Sequence, residues 1–312
     1  MKELLTIENL NIDLRIRNDL YPAVEEVTLS VGEKESVGIV GESGSGKSLT
    51  AKAILQILPK NAALTAQQLQ YKEADLQTLT DKQMRNLRGK EISMIFQDSS
   101  SSLNPVMKVG KQVEDVLRVH ERLGKEARKK KVLEMFQKVG FDDPNQVYAS
   151  YPHQLSGGMR QRIVISMALI ADPNLIVADE PTTALDNTIQ KQILDIMKEM
   201  IRKHDKSLVL ISHDWGVISQ MCDRVYVMYA GRIVEEGKVQ DVISRPQHPY
   251  TQGLLSAIPS LTKKGEKLFS IPFKVAAIDE RQKGKWPYIE ASSRYRQSEI
   301  ETMFPKRGEE DL

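Results

Sequence analysis

The stretch "GESGSGKS", residues 41–48, fits the pattern G-x-x-x-x-G-K-[S/T]. It follows "ESVGIVG" (35–41), an apolar segment typical of a buried strand, and precedes "KSLTAKAILQIL" (47–58), whose apolar residues recur at helical spacing. Glycines in such a loop let main-chain N–H groups approach phosphate oxygens, because no Cβ blocks the approach. The stretch therefore predicts a phosphate-binding loop between a strand and a helix of an α/β fold.

Two side chains of this loop have specific predicted roles. Lys47 can reach the β- and γ-phosphates of a nucleotide, and Ser48 can ligate Mg²⁺. A glycine-rich turn with a surface lysine is the alternative, which the strand and helix on either side disfavour. A dinucleotide-binding loop is disfavoured too, because G-x-G-x-x-G counted from Gly44 places Leu49 where a glycine is required. The expected nucleotide contacts are Gly41, Ser43, Gly44, Ser45, Gly46, Lys47, Ser48 and Leu49.

The second motif is acidic and ends the segment "LIVADE", residues 175–180. The apolar run that begins this segment is typical of a buried strand. Asp179 at the end of this strand can position Mg²⁺ beside the phosphate loop, and Glu180 can polarise a water for attack on the γ-phosphate. Two acids at a strand end are the structural alternative, which the upstream phosphate loop makes less favourable. The run "SLVLISH" (207–213) predicts a neighbouring strand that brings His213 to the same site. Gln97, at the end of "ISMIFQ" (92–97), is a similar candidate, and each of these two residues alone is more often structural.

A second anion site is indicated by "YPHQLSGGMRQR", residues 151–162. Ser156, Gly157 and Gly158 precede a helical pattern, and N–H groups at a helix start attract anions. This stretch has no lysine of its own, although the phosphate loop lies more than a hundred residues earlier.

Composition excludes several classes of protein. The chain has 312 residues, 40% apolar and 28% charged, which suits a soluble protein with two or more subdomains. Its net charge of +2 gives no indication of nucleic acid binding. No apolar run approaches the ~18 residues that cross a bilayer, and the first residues lack the features of a signal peptide. Cys222 is the only cysteine, which excludes an internal disulfide or a cysteine cluster. We expect a cytosolic protein that reaches a membrane only through partners.

Changes in pattern along the chain predict its domains. Residues 1–97 and 166–245 carry the strand and helix patterns of a nucleotide-binding α/β core, with an N-terminal β subdomain. Residues 98–165 are rich in polar and helical patterns, which predicts a helical subdomain inserted into the core. Residues 246–312 form a C-terminal extension to which the sequence assigns no chemistry.

The order of the motifs resembles that of an ATP-binding cassette (ABC) ATPase over roughly residues 3–245. Five segments resemble the ATPase subunits of bacterial oligopeptide, dipeptide and nickel importers. They are "MIFQDSSSSLNPVMKVGKQ" (94–112), "YPHQLSGGMRQR" (151–162), "ADEPTTALDNTIQ" (178–190), "VMYAGRIVEEG" (227–237) and "HPYTQGLLSAIP" (248–259). The resemblance implies a P-loop, RecA-like ABC ATPase core with an inserted helical subdomain, an antiparallel β subdomain and a C-terminal extension.

The resemblance also assigns roles to matching positions. Glu180 is the expected catalytic base, Asp179 orients Mg²⁺, and His213 is the switch histidine. Gln97 senses the γ-phosphate at the Mg²⁺ site and couples to the membrane subunits. Further expected contacts with ATP come from the signature residues Ser156, Gly157 and Gly158, from Asp186 in the loop that crosses to a partner, and from Tyr21, which stacks on adenine.

Three departures from the family pattern affect these expectations. Met159 replaces the glutamine of the LSGGQ signature, and Asn187 follows Asp186 where these importers commonly have an apolar residue. Many relatives carry a four-cysteine iron–sulphur motif near the C-terminus, but the tail has no cysteine, so no cluster is expected. The implied cofactors are ATP and Mg²⁺.

The resemblance favours an importer ATPase at the cytoplasmic face of the cell membrane. Its implied partners are a paralogous ATPase in a heterodimer, two transmembrane permease subunits and an extracellular substrate-binding lipoprotein, with no nucleic acid. Peptide is the favoured substrate, and nickel or another metal chelate is the alternative. A non-transport ABC protein is disfavoured because the chain has neither a long coiled-coil insert nor a second cassette. A small-molecule kinase leaves "LSGGMRQR" followed by "ADEP" unexplained.

Overall fold

The computed structural model describes residues 2–97, 102–182 and 185–257, together with Ile278 and Arg281. The strands within these ranges are β1 (Glu3–Ile16), β2 (Asp19–Gly32), β3 (Ser36–Val40), β4 (Ala62–Thr65), β5 (Gln68–Tyr71), β6 (Ala74–Asp75), β7 (Ile92–Ile95), β8 (Leu175–Asp179), β9 (Ser207–Ser212), β10 (Arg224–Tyr229) and β11 (Arg232–Lys238).

Helices connect and cover these strands. In the same ranges they are α1 (Lys47–Ile54), α2 (Asp81–Leu87), α3 (Val109–His120), α4 (Lys125–Lys138), α5 (Pro144–Ala149), α6 (Gly157–Leu169), α7 (Asn187–Lys203), α8 (Trp215–Met221), α9 (Val239–Ser244) and α10 (Pro249–Ser256), with a short 3₁₀ turn at Pro152–Gln154.

The central sheet has the strand order β11–β10–β3–β9–β8–β7. Strands β10, β3, β9, β8 and β7 pair in parallel, and β11 closes an antiparallel hairpin with β10. Side chains of β8 alternate between two apolar cores, Ile176 and Ala178 on one face and Leu175 and Val177 on the other. Burial of both faces explains why the parallel strands are continuous apolar runs.

The second sheet is antiparallel and contains the long strands β1 and β2. Its order is β2–β1–β5–β6, with β4 also paired to β1. Buried residues of β1, such as Leu5 and Ile7, belong to the same apolar core as α1 and one face of the central sheet. This packing places β2 close to the phosphate loop.

Helices α3, α4, α5 and α6 pack together beside the central sheet, and their buried residues include Val113, Phe136 and Ile163. The predicted mixed α/β fold, with a helical part and an antiparallel part, is confirmed. A search of the described ranges for a helix long and apolar enough to cross a membrane found none.

Helix α1 is shorter than its apolar spacing predicts. The pattern extends to Leu58, but the helix ends at Ile54. Gln56 adopts a left-handed conformation with φ 52°. The Arg88 guanidinium donates to the carbonyls of Leu55 and Gln56, at 2.7 and 2.9 Å. These bonds satisfy carbonyls that a helix end leaves without partners, so the chain can turn there.

Candidate functional site

Four of the segments that carry predicted site residues meet at the carboxyl edge of the central sheet. The phosphate loop follows β3, His213 follows β9, Asp179 ends β8 and Gln97 comes two residues after β7. Strands β3, β9, β8 and β7 are neighbours in that order, so these four segments lie side by side. The pairing of β9 with β8, which the sequence predicts, is present. Crevices at the carboxyl edge of a parallel sheet are the usual place for ligands in such folds.

The main chain of the phosphate loop requires glycine. Gly46 has φ 106°, and a Cβ added there would lie 2.8 Å from Met228 Cε and 3.0 Å from the Ala23 carbonyl oxygen. A Cβ at Gly41 would lie 2.1 Å from the Met228 carbonyl oxygen. Gly46 caps α1 without a side-chain hydrogen bond, so the cap residue leaves the N–H groups that begin this helix to other acceptors. This geometry fits a phosphate group.

Lys47 lies inside the loop with only 5% of its surface exposed. Its Nζ donates to the carbonyls of Gly41 and Glu42, at 2.8 and 2.7 Å. Burial lowers the pKa of the Lys47 ammonium, and the carboxylates of Glu180, Asp179 and Glu42 act in the opposite direction. The loop therefore carries a buried cationic group that suits a polyanionic ligand.

Ser48 and Asp179 form the predicted metal-binding pair. Ser48 Oγ donates to Asp179 Oδ1 at 2.9 Å, and Asp179 is only 4% exposed. Burial raises the pKa of the Asp179 carboxyl, and the Ser48 hydrogen bond opposes that effect. A hydroxyl and a carboxylate are hard oxygen donors of the kind that Mg²⁺ prefers, so this pair fits the metal.

Glu180 lies next to this pair and contacts the other two candidate residues. Gln97 Nε2 donates to Glu180 Oε2 at 3.0 Å, and His213 Nδ1 lies 3.2 Å from Glu180 Oε1. Glu180 adopts a left-handed conformation with φ 45°, which costs a non-glycine residue about 1–2 kcal/mol. Such strain is found most often at functional sites. Gln97, predicted at the metal, contacts Glu180 through its amide nitrogen.

The signature residues line a separate cavity of about 560 Å³. Ser156, Gly157, Gly158 and Asp186 are among its lining residues, which, in the part of the chain that the structure describes, include none of residues 41–48. Ser156 Oγ caps α6 by accepting from the Met159 main-chain N–H at 3.3 Å. Asp186 Oδ1 caps α7 by accepting from the N–H groups of Thr188 and Ile189, at 3.1 and 3.0 Å.

Three further candidates lie on or near the loop in less specific positions. Tyr21 is half-buried on β2, paired with Leu14 of β1. Ser43 is exposed at the loop surface. The Leu49 side chain packs against the apolar core, so only its main chain can face a nucleotide. The roles of these residues stay predictions.

Among the described residues of the C-terminal extension, Tyr250 and Arg281 contact the phosphate loop, and no role was predicted for either. Tyr250 Oη accepts from the Glu42 N–H at 3.0 Å. Arg281 Nη2 donates to the Gly44 carbonyl at 2.7 Å. Tyr250 belongs to the family-like segment "HPYTQGLLSAIP", which was a signal without a chemical interpretation. No sequence pattern points to Arg281.

Known proteins match the chain along most of its length. A family model described as "ABC transporter" matches residues 24–183, and one described as "Oligopeptide/dipeptide transporter, C-terminal region" matches residues 234–290. Among solved structures, the chain resembles the dimeric, post-hydrolysis ATP-binding cassette MJ0796 bound to ADP and Pi. The TM-score is 0.66 at 27% identity, with 75% of this chain and 98% of that chain covered.

Two curated relatives come from Bacillus subtilis. The dipeptide transport ATP-binding protein DppD is 48% identical over 272 residues, with 87% of this chain and 81% of that protein covered. The oligopeptide transport ATP-binding protein OppD is 48% identical over 271 residues, with 86% of this chain and 76% of that protein covered. The chain therefore belongs to the ABC transporter family, as one of its ATP-binding proteins.

Proposed function

We propose that this chain is the ATP-hydrolysing subunit of an importer for oligopeptides or dipeptides. The observation that carries the catalytic part is the position of Glu180, between Gln97 and His213 and beside the Ser48–Asp179 pair. Support for peptide import comes from the DppD and OppD relatives and from the match to the oligopeptide/dipeptide transporter C-terminal region.

The residues at the carboxyl edge of the central sheet have different roles in ATP hydrolysis. Lys47 and the loop N–H groups bind the phosphates, while Ser48 and Asp179 bind Mg²⁺. The metal, when bound, neutralises charge on the phosphate oxygens. The Glu180 carboxylate accepts a proton from the attacking water as the water approaches the γ-phosphate. Gln97 and His213 fix the orientation of that carboxylate through their hydrogen bonds.

The separation of the signature cavity from the phosphate loop supports a dimer with composite sites. Ser156, Gly157 and Gly158 line a cavity that the loop of the same chain does not enter. In a head-to-tail dimer these residues face the γ-phosphate of ATP bound to the partner's loop. The solved structures of MJ0796 are dimeric, which supports such an arrangement. We infer that the partner is a paralogous ATPase.

An apolar groove next to Gln97 supports an interaction with membrane permeases. The groove has a volume of about 830 Å³ and runs between the central sheet and the helical part. Phe96 and Val119 line it and are 40% and 69% exposed, although large apolar side chains are usually buried. We infer that two transmembrane permease subunits bind here, one to each ATPase, which places the chain at the cytoplasmic membrane face. A substrate-binding lipoprotein supplies peptide from outside.

Reconstitution tests this function. The chain is assembled in proteoliposomes with the inferred permeases, second ATPase and substrate-binding lipoprotein, and uptake of a radiolabelled dipeptide, a tripeptide and a nickel chelate is measured with ATP inside or outside. ATP-dependent peptide uptake, lost in Lys47→Ala, is the expected result. Uptake of the nickel chelate without uptake of either peptide would identify a metal chelate as the substrate. ATP hydrolysis that no solute or permease changes would refute a transport role.

A further inference from the structure

The outer side of the phosphate loop is bonded to the C-terminal extension. The Tyr250 hydroxyl oxygen accepts a hydrogen bond from the Glu42 N–H at 3.0 Å, and the Arg281 guanidinium donates one to the Gly44 carbonyl at 2.7 Å. A longer contact of 3.5 Å joins Arg281 Nη1 to the Ala23 carbonyl on β2. Two residues far apart in sequence thus reach the same turn of main chain, and one of them also joins it to β2.

Both side chains are buried, so these bonds replace contacts with water. Tyr250 is fully buried against the ring of Tyr229, with 4.5 Å between ring centroids. Arg281 is 6% exposed, and burial lowers the pKa of its guanidinium, while Tyr229 and Glu25 act in the opposite direction. A buried guanidinium is costly unless its donors are satisfied, and a charge-assisted bond to a carbonyl is among the stronger hydrogen bonds. The Arg281 contact therefore has a substantial energetic effect on the loop.

These bonds fix a peptide plane that a glycine-rich loop would otherwise leave free. Gly44 has φ 81°, and a Cβ there would meet none of the described residues within 4 Å, so packing by that part of the chain does not hold this residue. Its carbonyl accepts from Arg281, while the Ser45 N–H of the same peptide donates to the Glu42 carbonyl at 3.2 Å. Both ends of the planar unit are thus engaged.

We propose that Tyr250 and Arg281 are positioning residues that order the phosphate loop from outside and thereby tighten the binding of nucleoside di- and triphosphates. Glycine loses more conformational freedom on ordering than other residues do. Contacts that order the loop before the ligand arrives reduce that cost of binding. ATP and ADP are affected alike, because the loop contacts phosphates common to both. The proposal rests on the proposed function of residues 41–48 as the phosphate site.

Variants of the full chain test the proposal through affinity and stability together. Binding of ATP and of ADP is measured by calorimetry, and thermal unfolding is followed without nucleotide. Arg281→Gln is expected to weaken both affinities about tenfold, and Tyr250→Phe about threefold, as expected for loss of one charged and one neutral hydrogen bond. Arg281→Lys is expected to recover most of the loss, because an ammonium can still donate to the Gly44 carbonyl.

The matched control is Arg224→Gln. Arg224 is half-buried where Arg281 is buried, and it likewise donates to a main-chain carbonyl, that of Ser30 at 2.8 Å, but it lies at the opposite end of the strands. Its loss is expected to lower the unfolding temperature without changing nucleotide affinity. If Arg281→Gln and Tyr250→Phe behave like this control, or if Lys recovers nothing, the proposal is wrong.

Lys47→Ala distinguishes failure of the positioning role from failure of the phosphate site. Loss of nucleotide binding in Lys47→Ala with normal binding in Arg281→Gln would overturn the positioning role alone. Unchanged binding in Lys47→Ala would instead refute the phosphate site on which the proposal rests.

Discussion

Replacement of Glu180 by glutamine removes the charge of the proposed base and keeps its shape. The amide oxygen can still accept the bond from Gln97, now 3.0 Å from the carboxylate, so the fold is expected to persist. An amide cannot take the proton from the attacking water. Loss of a general base typically slows a reaction ~10²–10⁴-fold, which corresponds to about 3–5 kcal/mol of barrier.

Binding of ATP is expected to be unchanged or tighter in this variant. The negative charge of Glu180 acts on Lys47, and it also repels bound phosphates. Removal of that charge relieves the repulsion while the loop and Lys47 stay in place. The variant is therefore expected to retain ATP and to accumulate in the ATP-bound dimer.

Phosphate release at saturating ATP, measured in the assembled transporter beside ATP affinity, checks both expectations. Glu91→Gln is the control, because Glu91 also accepts hydrogen bonds from side chains, those of Lys72 at 2.7 Å, Asn174 at 2.8 Å and Tyr71 at 3.2 Å. It precedes β7 at the end opposite Gln97. Hydrolysis within about threefold of wild type in Glu180→Gln would remove Glu180 from the role of base.

Two further predictions concern the loop and the C-terminal extension. Gly46→Ala is expected to destabilise the protein by about 2–5 kcal/mol through its positive φ and its close contacts, and Gly44→Ala by about 1–2 kcal/mol through φ alone; equal shifts in denaturant midpoint would contradict this. Burial lowers the pKa of His248, whose Nδ1 accepts from the Tyr250 N–H at 3.1 Å. The folded state thus favours neutral His248. The contribution of this residue to the free energy of unfolding is therefore fully present above the ordinary pKa of 6.5 and is lost as the pH falls below it. His248→Asn keeps a capping oxygen and is expected to flatten that part of the pH–stability profile.

The sequence was sufficient to predict which segments meet at the sheet edge. A loop of fixed spacing and two apolar runs ending in Asp179 and His213 imply neighbouring parallel strands, and the pairing of β8 with β9 confirms this. The sequence "RVYVMYAGRIVEEG" (224–237) also predicts a hairpin that turns at Ala230–Gly231, and the structure confirms it, with φ of 46° and 95° at these residues. Local patterns were adequate here because each strand is recognised from its own apolar run and the hairpin turn from adjacent residues.

Contacts between distant segments could not be predicted in this way. The early end of α1 depends on Arg88, which lies more than thirty residues after that end. The contact of Gln97 with Glu180 depends on the pairing of β7 with β8, which no single motif encodes. The Arg281 contact with Gly44 spans 237 positions. In each case a long polar side chain satisfies a group whose need for a partner appears only in the folded chain.

At Met159, which stands where the family signature has glutamine, the contacts of the main chain differ from those of the side chain. The Ser156 hydroxyl accepts from the Met159 main-chain N–H, a bond that does not depend on the side chain at position 159. The Met159 side chain packs partly against the apolar core. Because the Ser156 hydroxyl only accepts in this cap, its own O–H can still donate, as can the main-chain N–H groups of Gly157 and Gly158 at the positive end of α6. The side chain at position 159 supplies none of these donors, so we expect the substitution of glutamine by methionine to preserve the phosphate contact of the proposed dimer.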